Sequence, residues 1–211
     1  MDIEDRSVEI ERKWVISNFD DVHQSIDPAS WQNIRQAYMG PTARVRINGV
    51  TPERDSSSVI SIKLSTSRLS CDEFNYPIPM EDAELFFEAH PNMEKDRVSI
   101  GNGFTLDIFK GRLEGLFLIE KEYASEDEAM NDEIPLEWNV IEVTGDDRYF
   151  NAALVNMSFD SKIGLFVDDP AGFMYDGEKF PPEIFDDRML ENLLVTGDEE
   201  DLGIDKPLII K

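Results

Sequence analysis

One cysteine and two histidines are all that 211 residues offer as soft or imidazole metal ligands. With Cys71 alone, a disulfide framework and a Cys-rich zinc site are excluded, and a reducing compartment fits. His23 and His90 lie far apart in sequence and lack metal-ligand spacing. Positive charge is also scarce: 20 Lys and Arg against 45 Asp and Glu leave a net charge of −25. That balance argues against nucleic acid or an anionic membrane surface as the main partner. It leaves room for a local basic pocket, because net charge says little about the field inside a cleft. No apolar run reaches membrane-spanning length, and the opening Met-Asp-Ile-Glu-Asp does not read as a secretory signal. A cytoplasmic location is therefore expected. There is no internal repeat and no long low-complexity segment.

What is present suffices for one packed domain with an extension: 41% hydrophobic and 10% aromatic residues. Most of the chain alternates with period two, the signature of strands with one apolar face. In VEIERKWVI (8–16), Glu9, Glu11 and Lys13 oppose Val8, Ile10 and Trp14. ARVRI (43–47) sets Arg44 and Arg46 against Ala43, Val45 and Ile47, and VISIKLS (59–65) sets Lys63 and two serines against Ile60, Ile62 and Leu64. EFNYPI (73–78) carries Glu73 and Asn75 on one parity, and KDRVSI (95–100) carries Lys95, Arg97 and Ser99. FTLDIF (104–109) carries Thr105 and Asp107, and LFLIEKEY (116–123) carries Glu120 and Glu122. Turn signals such as Gly101-Asn-Gly103 and Lys110-Gly111 separate these runs. Seven or more strands joined mostly by hairpins imply an antiparallel sheet or barrel.

Helices are fewer. MEDAELFFEAH (80–90) follows a proline and has acids in its first turn; Ser125 with Glu128 forms a capping box before a short helix. DRYFNAALVNM (147–157) and PPEIFDDRMLENLL (181–194) also read as helical, the latter with Phe185, Met189 and Leu193 on one side. From Asp160 to Lys211 the composition shifts to 14 acids against 5 bases, punctuated by Pro and Gly. The reading is a domain over 1–158 and an acidic extension over 159–211 that docks on the barrel or serves a homodimer or protein partner.

A charged strand face is ordinarily a solvated outer face. Here the charges cluster by type, with acids on the first and late strands and bases between. If the sheet closes with its apolar parities outward under helices, the charges line a lumen. Burying many charges is costly unless they pair or bind ligands. A lumen holding both signs suits a polyanion with a metal: Arg and Lys for phosphate oxygens, carboxylates for Mg²⁺ or Mn²⁺.

At this point the residues meet a family. Glu9-Ile-Glu11-Arg-Lys13 resembles the ExExK signature of the CYTH domain, the triphosphate tunnel metalloenzymes (CyaB–thiamine triphosphatase-like). The ordered set that follows is more specific than the signature. Gln36-Ala-Tyr38-Met39 resembles the family's QxYL stretch before the RxR strand, here Arg44 and Arg46. Lys63, the EFNYPIP run, Arg97, Asp107, the closing Glu120-Lys-Glu122 and EVTGDDRYFNAAL (142–154) follow in order, so the resemblance covers roughly residues 7–157.

The resemblance implies an α+β, mainly β fold: a closed eight-stranded antiparallel tunnel with a charged lumen and flanking helices. It implies a metal-dependent triphosphatase acting on a triphosphate-containing small molecule. Glu9, Glu11, Glu120 and Glu122 take the place of the metal carboxylates, with Asp107 close by and Glu73 as a further acid of the metal network. Arg44, Arg46, Lys63 and Arg97 take the place of the phosphate binders, with Lys95 as an additional one. Lys13 takes the place of the signature lysine, near metals and scissile phosphate; Glu9, Glu11, Lys13 and Glu122 are the expected catalytic set. The sequence departs from the pattern at Asn75, where many members have a second Glu, and at Cys71, where a base is usual and Arg68 is the nearest one. Two other functions stay open: an adenylate cyclase of the same fold, and a non-catalytic triphosphate sensor with the acidic extension as its partner contact.

Overall fold

The computed structural model describes residues 5–16, 19–49, 55–135, 138–160 and 165–168. Eight strands close into an antiparallel barrel: β1 (Asp5–Ile16), β2 (Gln32–Tyr38), β3 (Ala43–Asn48), β4 (Ser57–Ser65), β5 (Ser70–Pro77), β6 (Asn92–Ser99), β7 (Phe104–Phe109) and β8 (Phe117–Glu122). Their order is β5-β4-β3-β2-β6-β7-β8-β1, and pairing of β1 with β5 completes the ring. A short ninth strand, β9 (Val140–Glu142), adds to the far end of β1. No helix among the described residues is long and apolar enough to cross a membrane.

The alternation dictates which face goes where. One parity of each strand points outward and is buried under added elements. Trp14, Ile16, Val98, Phe104, Leu106 and Ile119 form one outer core with Val22 and Trp138. Phe104 packs edge-on against both tryptophans, at ring-centroid distances of 5.8 and 5.3 Å. Helix α1 (Met80–Ala89) lays Ala83 and Phe87 over Ala37, Val45 and Ile47. Helix α2 (Glu126–Asn131) covers Ile10 and Tyr123 with Ala129. Its cap is the expected one: Ser125 Oγ accepts from the Glu128 amide at 3.1 Å, while the Glu128 carboxylate accepts from the Ala124 amide at 3.1 Å.

The other parity points into the lumen. At one end it is apolar: Tyr38, Met93, Phe109 and Leu118 meet Leu113 and Leu116 of the β7–β8 connection and Leu154 and Val155 near helix α3 (Asn151–Leu154). This cluster floors the barrel. The β6–β7 hairpin turns through Gly101, Asn102 and Gly103, all at positive φ (86°, 51° and 80°), as its Gly-Asn-Gly sequence requires.

Several expectations need correction. Strand β2 was not apparent from alternation. The helix expected over 147–157 is a 3-10 turn, Asp147–Tyr149, then the single turn α3. Phe150 between them is extended (φ −72°, ψ 134°), and Met157 begins strand β10 (Met157–Asp160), which pairs with β11 (Leu165–Asp168). Apart from 159–160 and 165–168, the expected extension over 159–211 lies outside the described residues. The helix expected over 181–194 lies outside the described residues.

Candidate active site in the barrel lumen

Above the apolar floor the lumen is charged, and strand register sets the charges against one another. Lys13 lies directly opposite Glu120 across β1–β8, Lys63 opposite Glu73 across β4–β5, and Arg97 opposite Asp107 across β6–β7. One like-charged pair interrupts this order: Glu11 is directly opposite Glu122.

The side chains complete ion pairs around the ring. Lys13 Nζ lies 2.9 Å from Glu120 and 3.6 Å from Glu11. Arg97 forks onto Asp107, Nε to Oδ1 at 2.7 Å and Nη2 to Oδ2 at 2.7 Å, and also reaches Glu120. Lys95 pairs with Asp107 beneath it, both almost wholly buried. On the other side Lys63 pairs with Glu9 and stands 3.7 Å from Glu73, while Arg44 meets Glu73 at 3.2 Å. Gln36 is fully buried between the arginines. With its amide oxygen turned toward them, it accepts from Arg44 Nη1 and Arg46 Nε at 3.1 Å each. Among the described residues no carboxylate lies within ion-pair distance of Arg46. The Arg44 Nε, also buried, has no hydrogen-bond partner among them.

Proton affinities follow from this arrangement. Burial pushes the Glu120 carboxyl up, but Lys13 and Arg97 more than reverse it, so it lies well below the usual carboxylate range. Glu9 is held low in the same way by Lys63 and Arg44, and Asp107 by Arg97 and Lys95. Lys13 resists the pull of burial because Glu120 and Glu11 hold its proton more tightly than usual. Glu122 behaves oppositely: burial, then the charges of Glu9 and Glu11, push its carboxyl up. Arg46 is pulled down to about 10 by burial and by its neighbours Arg44 and Arg97.

Every site residue expected from sequence thus belongs to a lumen strand. Nine of them form two ion-paired groups, Glu9–Lys63–Glu73–Arg44 on one side and Lys13–Glu120–Arg97–Asp107–Lys95 on the other; Glu11 stands beside Lys13 and opposite Glu122, and Arg46 lies beside Arg44 and Arg97. The expected metal carboxylates do not form a ligand cluster among the described residues, where no three Asp, Glu, His or Cys gather around one point. Glu9, Glu73, Asp107 and Glu120 are instead paired with lumen bases, while Glu122 has no base within ion-pair distance among the described residues. A cavity of about 360 Å³ joins Glu9, Glu11, Lys13, Arg44 and Lys63 to the wall between β5 and β9.

An inorganic triphosphatase of Nitrosomonas europaea is 34% identical over 153 residues, covering 69% of this chain and 95% of that protein. One of Acetivibrio thermocellus is 31% identical over 157 residues, covering 70% of this chain and 92% of its own. The chain belongs to the CYTH, or triphosphate tunnel, family. A crystal structure of an inorganic triphosphatase is 29% identical and covers 70% of this chain and 93% of its own, with a TM-score of 0.47. No family model matches the chain.

The two departures from the CYTH pattern are now located. Asn75 accepts a hydrogen bond from Ser61 Oγ at 2.6 Å, so a neutral pair stands where a carboxylate is common. Cys71 stands opposite Glu9 in the β1–β5 register, and its thiol donates to that carboxylate at 3.3 Å. Burial, reinforced by the Glu9 charge, pushes the thiol up to about 12. Arg68 does not replace the missing base in the tunnel. Its guanidinium turns away to the Thr144 carbonyl, and sequence spacing gives no signal of that contact.

Proposed function

We propose that this protein hydrolyses a triphosphate inside the tunnel with the help of Mg²⁺ or Mn²⁺. The observation that carries the reading is Arg46: a half-buried cation beside Arg44 and Arg97 with no acid within ion-pair distance among the described residues. Isolated buried charge is costly, and a polyanion removes that cost. Both curated relatives are inorganic triphosphatases, which supports a phosphate chain as the polyanion.

Arg44 and Arg46, two residues apart on β3, hold oxygens of neighbouring phosphates. Lys63, Arg97 and Lys95 hold the remainder from the facing strands. As phosphate oxygens draw Lys63 from Glu9 and Arg44 from Glu73, those carboxylates are released toward the lumen. Glu9, Glu11, Glu120 and Glu122, with Asp107 and Glu73 behind them, would hold the cation. The donors fit: all are hard oxygens, and the opposed Glu11 and Glu122 concentrate negative charge that a divalent ion relieves. The ion's chemistry is to polarise phosphate oxygens and activate water. Lys13, charged and fixed between Glu11 and Glu120, orients the reacting phosphate. One P–O bond forms from water, and the bond to the bridging oxygen breaks. A cytoplasmic site of action fits the protonated lone thiol, and the net charge of −25 disfavours nucleic acid and anionic membranes as partners.

The neutral Ser61–Asn75 pair and the missing base at Cys71 favour a second reading, a triphosphate sensor that does not turn over. Product analysis separates the readings. Wild-type protein is incubated with tripolyphosphate or ATP, each with Mg²⁺, Mn²⁺ or EDTA, and orthophosphate and cyclic AMP are measured. Metal-dependent orthophosphate without cyclic AMP is expected. Cyclic AMP would indicate a cyclase, and binding by calorimetry without any product would indicate the sensor.

A further inference from the structure

The wall of the barrel changes hands beside Lys13. Strand β5 pairs with β1 only as far as Ile10, and β9 takes the same edge from Trp14 onward. Between them the backbone of the lysine has no strand partner on that side. A turn does the work instead: the Val143 amide donates to the Lys13 carbonyl at 2.9 Å, and the Lys13 amide donates to Thr144 Oγ at 3.0 Å. The Thr144 hydroxyl in turn donates to Glu142 at 2.8 Å. Across the gap stands the tip of the β4–β5 hairpin, whose Leu69 carbonyl accepts from the Glu11 amide at 3.0 Å.

Arg68 joins the two. Its Nε and Nη2 both donate to the Thr144 carbonyl, at 2.9 and 2.7 Å, from 76 residues away in sequence. The arginine stem lies flat on Gly145, which has φ +70°; a Cβ there would stand 2.3 Å from Arg68 Cγ. The glycine therefore serves both the turn and the close approach. Both sides of this seam line the cavity that holds Lys13, Arg44 and Lys63.

We propose that Arg68 is a positioning residue for the reaction: by clamping the turn 143–145 onto β1 it fixes Lys13 and closes the tunnel wall beside it. This rests on the reading of Lys13 as part of a triphosphate site, so the test has one arm that needs no turnover. Hydrogen exchange followed by mass spectrometry compares wild type, Arg68→Ala, Arg68→Lys and Gly145→Ala. In Arg68→Ala and Gly145→Ala, peptides covering 11–15 should exchange about tenfold faster, the size of one weakened hydrogen bond, while β6–β7 peptides stay protected. In the kinetic arm, tripolyphosphate turnover should fall by about 10–100-fold in kcat with KM within about twofold, the pattern of a misplaced group rather than lost binding. Arg68→Lys, which keeps a donor for the Thr144 carbonyl, should recover most of kcat. Unchanged exchange at 11–15, or protection lost equally over the whole barrel, would overturn the proposal. So would a loss confined to KM, which would make Arg68 a phosphate ligand. Absence of turnover in the wild type would instead count against the triphosphatase reading, leaving exchange to decide on the clamp.

Discussion

Lys13 and Glu120 are direct partners across β1 and β8, and their side chains meet at 2.9 Å with only 7% and 8% of their surface exposed. A charge pair this enclosed depends on both members. Removing one leaves the other buried without compensation. Glu120→Gln should therefore lower the stability of the ligand-free protein by about 3 kcal/mol, read from the urea midpoint. The outer-wall pair Arg35–Glu84 has good geometry at 2.7 Å but is largely exposed. Glu84→Gln should cost under about 0.5 kcal/mol. Equal losses would mean that Lys13 finds another partner when Glu120 is gone.

Arg46 invites the opposite experiment. It is half-buried beside Arg44 and Arg97, and like-charged neighbours raise the free energy of the ligand-free tunnel. Arg46→Met should raise the stability of the ligand-free protein by on the order of 1 kcal/mol, read from the urea midpoint. The same substitution should weaken tripolyphosphate binding at least about tenfold by calorimetry, the loss of one charge-assisted contact. A variant that is less stable and binds unchanged would show that Arg46 serves the fold and not the ligand.

The strands carrying the site were legible because each alternates cleanly between charge and apolar side chain. Barrel strand β2 was not, because its lumen face holds Gln32, Ile34, Gln36 and Tyr38 while its outer face holds Asn33, Arg35 and Ala37. Polar and apolar residues occur on both parities, so period two is erased. The charged set itself was legible, since Lys63–Glu73 and Arg97–Asp107 follow from register once the strands are drawn. What no local pattern carries is how β1 changes partner, and so why Arg68 and Gly145 matter. That contact joins a hairpin tip to a turn after β9, and each looks like an ordinary loop alone. The 147–157 segment misled for a related reason: Phe150 and Met157 follow the demands of the apolar floor and of β10, not helical period.

Acid should unfold the protein through the lumen. Glu9, Asp107 and Glu120 are all held below their ordinary values by bases that outweigh burial. Each binds its proton less readily folded than unfolded, so each contributes stability above the unfolded carboxylate value of about 4. That contribution disappears as pH falls through the folded values. Thermal midpoints measured from pH 7 to pH 3 should be nearly flat at first and drop steeply below about 4.5. In Glu120→Gln the drop should be shallower, because one of the three protons no longer contributes. An unchanged slope would place the acid-sensitive groups outside the tunnel.

Cys71 should behave as an inert thiol. Burial and the Glu9 carboxylate push it up to about 12, and the thiolate is the reactive form. At pH 8 its reaction with a disulfide reagent should run at least about a hundredfold slower than that of an unperturbed cysteine. Glu9→Gln should speed it by removing the adjacent negative charge. Fast labelling in the native wild type would contradict the thiol-to-Glu9 arrangement.

The central claim is that charges facing the lumen, and not the acidic surface at large, turn over a triphosphate. Orthophosphate release from tripolyphosphate under saturating Mg²⁺ or Mn²⁺, compared for wild type, Glu9→Gln and Glu84→Gln, tests it most directly. Glu9 faces Lys63 in the tunnel, whereas Glu84 faces Arg35 on the outer wall. The account predicts a loss of at least about a hundredfold for Glu9→Gln, the scale of removing a group that acts on the reacting phosphate, and activity within about twofold of wild type for Glu84→Gln. Equal activity in all three proteins, or none in any, would contradict it.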